Sequence, residues 1–190
     1  MTEFTLHDLD SVPEHASEAL GKIAKKFGAI PNVYAHMAES PLPLEIYGMA
    51  QDLVMARSTL GPQKVNLVQL AISVEHGCEF CVPAHSWAAD KALKTDPEIV
   101  AAIREGREGP DVHVNALVSL ARSLVRHRGH VPEAEIESFL ASGGTREQVF
   151  ELISIIAFKT ITNYTAALAG TRPNDWMAPY AWSAEEAVPA

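Results

Sequence analysis

Cysteine is scarce in this chain: two of 190 residues, Cys78 and Cys81. Two are too few for a disulfide scaffold, and their place in a single Cys-x-x-Cys points to thiol or metal chemistry instead of a structural staple. Runs of Lys or Arg are absent as well, and the formal net charge is -9. That balance leaves no electrostatic footprint for nucleic acid or for an anionic membrane. No window approaches the roughly 18 uninterrupted apolar residues of a spanning helix. The opening MTEFTLHDLD is acidic and has no apolar stretch of the kind a signal peptide needs. The expectation is a cytoplasmic protein that takes neither nucleic acid nor membrane as partner. Sustained two-residue alternation bounded by hairpin turns is missing too, so the sequence offers no strands for a sheet.

What is present is one helical signal after another. Hydrophobic residues make up 47% and charged residues 21%, an ordinary globular balance, and the length suits one domain over 1–190. Amphipathic spacing predicts a helix over Glu14 to Phe27, a short one through Val33 to Met37, and another over Leu44 to Ala56 after Pro41 and Pro43. Pro62 suits the first turn of a helix running to about His76, and Gly77 is a stop from which a further helix runs from Cys78 to about Leu93. Asp96-Pro97-Glu98 starts a short helix ending at Gly106. Further helices are predicted over Asp111 to His127, Pro132 to Ala141 and Thr145 to Ala169, the last opened by the capping pattern Thr145-Arg146-Glu147-Gln148. Leu152 to Ile161 is apolar enough for a strand, but its continuation through Tyr164 and Leu168 makes a buried helix the better reading. The fold class is all-α. The Pro-containing tail over 171–190, with Trp176, Tyr180 and Trp182, is too short to fold alone and is expected to pack on the bundle or on a neighbouring subunit.

Pro62 to Ile72 (PQKVNLVQLAI) and Arg146 to Ile156 (REQVFELISII) share a polar start and a similar apolar rhythm, which a duplicated helical unit would produce, as would chance. The second copy has Thr162 and Thr165 where the first has its thiols.

On a helix, residues three and four apart share a face, so Cys78, Cys81 and His85 form one stripe. Two thiols at that spacing can close a small disulfide if their Cβ atoms converge. A helix start favours the thiolate through unpaired amides and the macrodipole, and His85 can take or deliver a proton. Hydroperoxide attack by one thiolate would give a sulfenic acid, and the other thiol would condense with it to the disulfide. Other readings remain open: two inert buried thiols, or a zinc site with Glu75 or His76 as fourth ligand. Asn66, Gln69 and Ser73 form a polar stripe that either bonds between helices or lines the thiol pocket. Trp87 reads as core or interface, His76 as a solvated helix end, and His113, His127 and His130 as surface.

The run Gly77-Cys78-Glu79-Phe80-Cys81 with Ala84-His85 resembles the core motif of the alkylhydroperoxidase D-like, carboxymuconolactone decarboxylase family. Gly28-Ala29-Ile30-Pro31-Asn32, Glu39-Ser40-Pro41, Arg128-Gly129-His130-Val131, Gly143-Gly144-Thr145 and Thr162-Asn163-Tyr164 look like its other signatures, so the likeness covers about three quarters of the chain. It implies a helical bundle from a duplicated unit, a homo-oligomer (trimer or hexamer), a small hydroperoxide as substrate and an external dithiol as reductant, with no cofactor and no metal. By that resemblance Cys81 is the relay-activated thiol, Cys78 its disulfide partner and His85 the proton shuttle. The family's relay glutamate is commonly found where this chain has Asn66; Glu75 stands nearer the thiols as a possible base, although on a straight helix it lies on nearly the opposite face from Asn66. A lactone decarboxylase of the family's other branch and a non-catalytic redox sensor or scaffold are the alternative functions.

Overall fold

Side-chain caps set the helix starts. In the computed structural model, which describes residues 3–187, Ser40, Asp96, Asp111 and Thr145 each accept a hydrogen bond from a backbone N–H of the first helical turn. Gln148 returns the bond to Thr145 N at 3.0 Å, completing the capping box. The helices are α1 (Glu14–Phe27), α2 (Asn32–Met37), α3 (Pro41–Arg57), α4 (Gly61–Glu75) and α5 (Cys81–Lys91). They continue as α6 (Pro97–Glu105), α7 (Val112–Arg126), α8 (Glu133–Ala141) and α9 (Arg146–Ala169), followed by a 3-10 turn (Asp175–Tyr180) and α10 (Ala184–Ala187). Among the described residues there is no strand, and the fold is all-α.

Two boundaries depart from the sequence expectation for backbone reasons. Pro41 and Pro43 lie inside α3, because the first turn needs no N–H from either. The helix of the thiol motif begins at Cys81 and not at Cys78. Gly77 adopts φ +61, a left-handed conformation that a side chain would strain, and Cys78 N bonds back to Ser73 O at 2.9 Å. Cys78 therefore sits in the turn ahead of α5. His113 is also not surface: it is half-buried, donates from Nδ1 to the Ser142 carbonyl at 3.1 Å, and packs on Phe139.

Helix α4 is the axis of the molecule. Every residue from Val65 to Ser73 is buried, the mark of a helix covered all round. One side packs with α3, α7 and α9 in a core that includes Val68, Ile72, Leu120, Leu152, Ile155 and Phe158. The other packs Leu67, Leu70 and Ala71 against Val82, Ile103, Val114 and Val118 of α5, α6 and α7. Burying polar Asn66, Gln69 and Ser73 in this axis requires partners, and each has one. Helix α9 is long and apolar enough to cross a membrane by length and composition. In the bundle it packs against α2, α3 and α4, with Lys159 and Asn163 among its buried residues and Phe150, Ile153, Tyr164 and Leu168 exposed. The two echoing segments fall on α4 and α9, which lie side by side.

The tail is pinned to the bundle over residues 172–182; positions 188–190 lie outside the described residues. Asn174 accepts from Asn32 N at 2.9 Å and donates to Asn32 Oδ1 at 3.0 Å, while Arg104 donates to the carbonyls of Tyr180 and Ala181 at 3.0 and 2.8 Å. Trp182 answers with a bond to Arg104 O, and Met177 is 1% exposed.

Candidate active site

Both thiols are free and buried. Cys78 acts as a cap of α5: its sulfur accepts from Cys81 N at 3.3 Å, the role an oxygen fills at most helix starts. The Cys81 thiol also hydrogen-bonds the Cys78 sulfur, and this bond is the largest reason that the Cys78 thiol is brought down to about 6. Burial opposes the shift; the Lys159 charge and Asn163 add to it. Burial and the same bond push Cys81 well up. The pair thus holds one thiolate and one thiol, with the negative charge favoured on Cys78.

Cys81 opens on a cavity of about 220 Å³ whose walls come from six helices and the tail. Phe27, Tyr34, Phe80, Trp87, Trp176 and Met177 make it apolar and aromatic; His85, Asn66, Gln69 and Lys159 supply its polar points. Trp176 of the tail meets Trp87 edge to face at 4.8 Å, so the tail forms one wall.

Asn66 fixes the histidine. Its Nδ2 donates to His85 O at 3.0 Å, which leaves Oδ1 to accept from His85 Nδ1–H at 2.8 Å. That tautomer leaves Nε2 free to accept a proton. Burial, then the Lys159 charge, hold the imidazole well below its usual range, so it is neutral. Gln69 lines the cavity and donates to Gln51; Ser73 donates to Gln69 O and accepts from Asn163. Asn163 also lies 3.3 Å from His76 Nδ1, so His76 is tied to the bundle.

Of the four residues singled out in the sequence, three gather here and Glu75 does not. Its Oε1 accepts from Arg126 Nε at 2.5 Å, a bond to α7, which contributes nothing to the cavity walls. Lys159 is the charged cavity residue that the motif did not single out: it lines the cavity, is 1% exposed, and lies beside the two thiols and Tyr47. Its signal was a lone lysine inside Leu152 to Ile161, a segment read as a buried helix. Among the described residues no three His, Cys, Asp or Glu side chains gather as a metal site.

Residues 45–107, which include the turn, both thiols and His85, match the model of the carboxymuconolactone decarboxylase family. The match covers the thiol-bearing segment, roughly a third of the chain. Three solved structures share the fold across almost the whole chain. The first is the alkylhydroperoxidase AhpD core of an uncharacterized peroxidase-related protein from Ralstonia eutropha JMP134, at 23% identity and TM-score 0.78, covering 99% of this chain and 97% of that one. The second is an uncharacterized peroxidase-related protein from Silicibacter sp. TM1040, at 22% identity and TM-score 0.74, covering 93% and 95%. The third is the debrominase Bmp8, at 15% identity and TM-score 0.71, covering 92% of each chain. A cysteine-to-alanine variant of the same debrominase has been solved in complex with 2,3,4-tribromopyrrole. No curated protein matches this sequence. The architecture is thus the alkylhydroperoxidase D-like helical fold, one that serves more than one activity.

Proposed function

We propose that the chain is a thiol-dependent peroxidase that reduces small organic hydroperoxides through a Cys78–Cys81 disulfide. The observation that carries this is a pair of free, buried cysteines joined at the start of α5, one sulfur of which lines an apolar cavity beside a histidine held by Asn66. The charge rests on Cys78 while the cavity opens on Cys81, so the first step is a proton shift along the S–H···S bond, from Cys81 to Cys78. The Cys81 thiolate attacks the outer peroxide oxygen; the O–O bond breaks, Cys81 becomes a sulfenic acid, and an alkoxide leaves to be protonated. The Cys78 thiol then displaces water from the sulfenic acid, closing the disulfide. His85, held by Asn66, offers Nε2 as the proton shuttle. An external dithiol returns two electrons and two protons to the pair.

A reducing compartment such as the cytoplasm suits this cycle. The exposed apolar residues of α9, with Leu42, Ile46, Met49 and Leu53 of adjoining α3, support burial in a homo-oligomer. The test is a thiol count: one equivalent of cumene hydroperoxide consumes two thiols reversibly, dithiothreitol restores them, and turnover is lost in Cys81→Ser, by about 10³-fold or more. Unchanged turnover in that variant overturns the reading.

The aromatic walls favour one second reading, thiol-dependent reductive dehalogenation of a flat ring. Thiolate attack on halogen, protonation of the ring carbon and closure of the same disulfide would release hydrogen halide. Halide release from a brominated pyrrole in the presence of dithiol, without hydroperoxide turnover, would select it.

A further inference from the structure

A buried ammonium needs a negative partner, because sealing an ion away from water costs several kcal/mol even after relaxation. Among the described residues no carboxylate lies within ion-pair distance of Lys159. Its Nζ donates to Thr162 Oγ1 at 2.8 Å, a neutral acceptor. The titratable groups that face it are Cys81 and His85 of α5, Cys78 of the preceding turn, and Tyr47 of α3, with Tyr34 of α2 behind Tyr47. The tyrosines are held in their phenol form by burial and the histidine is neutral. The thiol pair is then the one source of negative charge beside the lysine.

We propose that Lys159 is the counter-cation of the reduced thiol pair and the acid that protonates the departing alkoxide. This rests on the peroxidase reading for its substrate, whereas its charge balance holds for any two-electron oxidant of the pair. Before reaction the cavity holds an ammonium, one thiolate and one thiol. The thiolate, the thiol, the ammonium and ROOH become a disulfide, a neutral amine, ROH and water. Hydrogen, oxygen and charge all balance, and no net charge is left behind in the apolar cavity.

The lysine's own environment drives the proton in that direction. Burial pulls its pKa down, but its interactions with Cys81, Tyr47 and Cys78 raise it overall; with Tyr47 a neutral phenol, the thiol pair is the source of the charge that keeps the lysine an ammonium in the reduced site. Forming the disulfide removes both sulfur contributions and leaves the burial, and the ammonium becomes an acid at the moment an alkoxide needs a proton. His85 cannot serve first, since it carries no proton at Nε2 to give. By stabilising the thiolate, Lys159 also favours the dithiol over the disulfide and makes the disulfide a stronger oxidant.

The wild-type protein tests the charge balance without a mutation. Reduced protein is oxidised at neutral pH with one equivalent of diamide in weak buffer containing an indicator dye, while the ultraviolet thiolate absorbance is followed. The expected result is loss of one thiolate per disulfide with no proton taken up. Uptake of one proton per disulfide, or no thiolate lost, overturns the proposal. In Lys159→Met the thiolate absorbance should appear only at higher pH, alkylation by iodoacetamide at neutral pH should slow about tenfold, and the dithiol–disulfide equilibrium should move about tenfold toward the disulfide, about 30 mV. An unchanged thiol titration in that variant overturns the counter-cation role. Lys159→Arg keeps the charge but not the acid, since guanidinium does not deprotonate; its oxidation should take up one proton per disulfide, and a count of zero there overturns the acid role. Success with diamide alongside inertness to cumene hydroperoxide would sink the peroxidase reading and leave the lysine's role standing.

Discussion

Helices α4 and α9 begin alike and end differently. Both open on a polar turn, both bury an apolar stripe, and they lie side by side. Helix α4 breaks at Gly77, and the break releases Cys78 to cap the next helix with its sulfur. Helix α9 runs on without a break: Lys159 stands level with the end of α4, and the continuation adds Thr162 and Asn163 beside the thiols. One helix frees the turn that bears Cys78 by stopping; the other continues past its lysine to a donor for that sulfur. With the 84-residue offset of the echo, Lys159 even stands at the position of Glu75. A pair of like elements has thus divided the labour of one site.

This division can be stressed from both sides. The largest effect is on protonation of the sulfur itself. With the Cys78 thiol at about 6, the alkylation rate should be flat above neutral pH and fall as acid protonates the thiolate, about a hundredfold over two units below that value; a midpoint near that of a free thiol would refute the polarised pair. Next is Asn66→Leu on α4, which removes the acceptor that sets the His85 tautomer. Peroxide turnover should drop about tenfold or more while the alkylation profile stays in place, and steady-state kinetics would show the split. On the α9 side, Asn163→Leu removes one donor to Cys78 and should slow alkylation near pH 6 by about threefold with little change at pH 8. Smallest is Glu75→Gln. Its carboxylate serves Arg126, so turnover should stay within about twofold and stability should fall by no more than about 1 kcal/mol, as chemical denaturation would report. A large loss of turnover in that variant would restore Glu75 as the base.

Local chemistry was readable in the chain and long-range chemistry was not. The capping box at Thr145, the Asp96-Pro97 start and the Gly77 stop all announced helix ends, since each acts within one turn. The thiol motif announced the site. Its geometry was harder: a stripe of three residues on one helix gave way to a turn plus a helix, because sulfur can cap where the motif suggests only continuation. Glu75 was misplaced because its partner Arg126 is 51 residues away on α7, a pairing that spacing cannot reveal. Lys159 was hidden for the opposite reason. It sits in a run whose apolar rhythm identifies a core helix, and the lysine looked like an interruption until the packing set it against sulfur.

The docking of residues 172–182 has a consequence for how the protein is made. Trp176 and Met177 close the cavity that Cys81 faces, and Arg104 grips the chain just beyond them. A growing polypeptide therefore closes this cavity only after α1 to α9 have been synthesised. Until residues 172–182 arrive, the cavity lacks the wall made by Trp176 and Met177. Removing the closing stretch, or loosening its arginine clasp, would leave a protein that reacts faster with bulky thiol reagents and discriminates less among them.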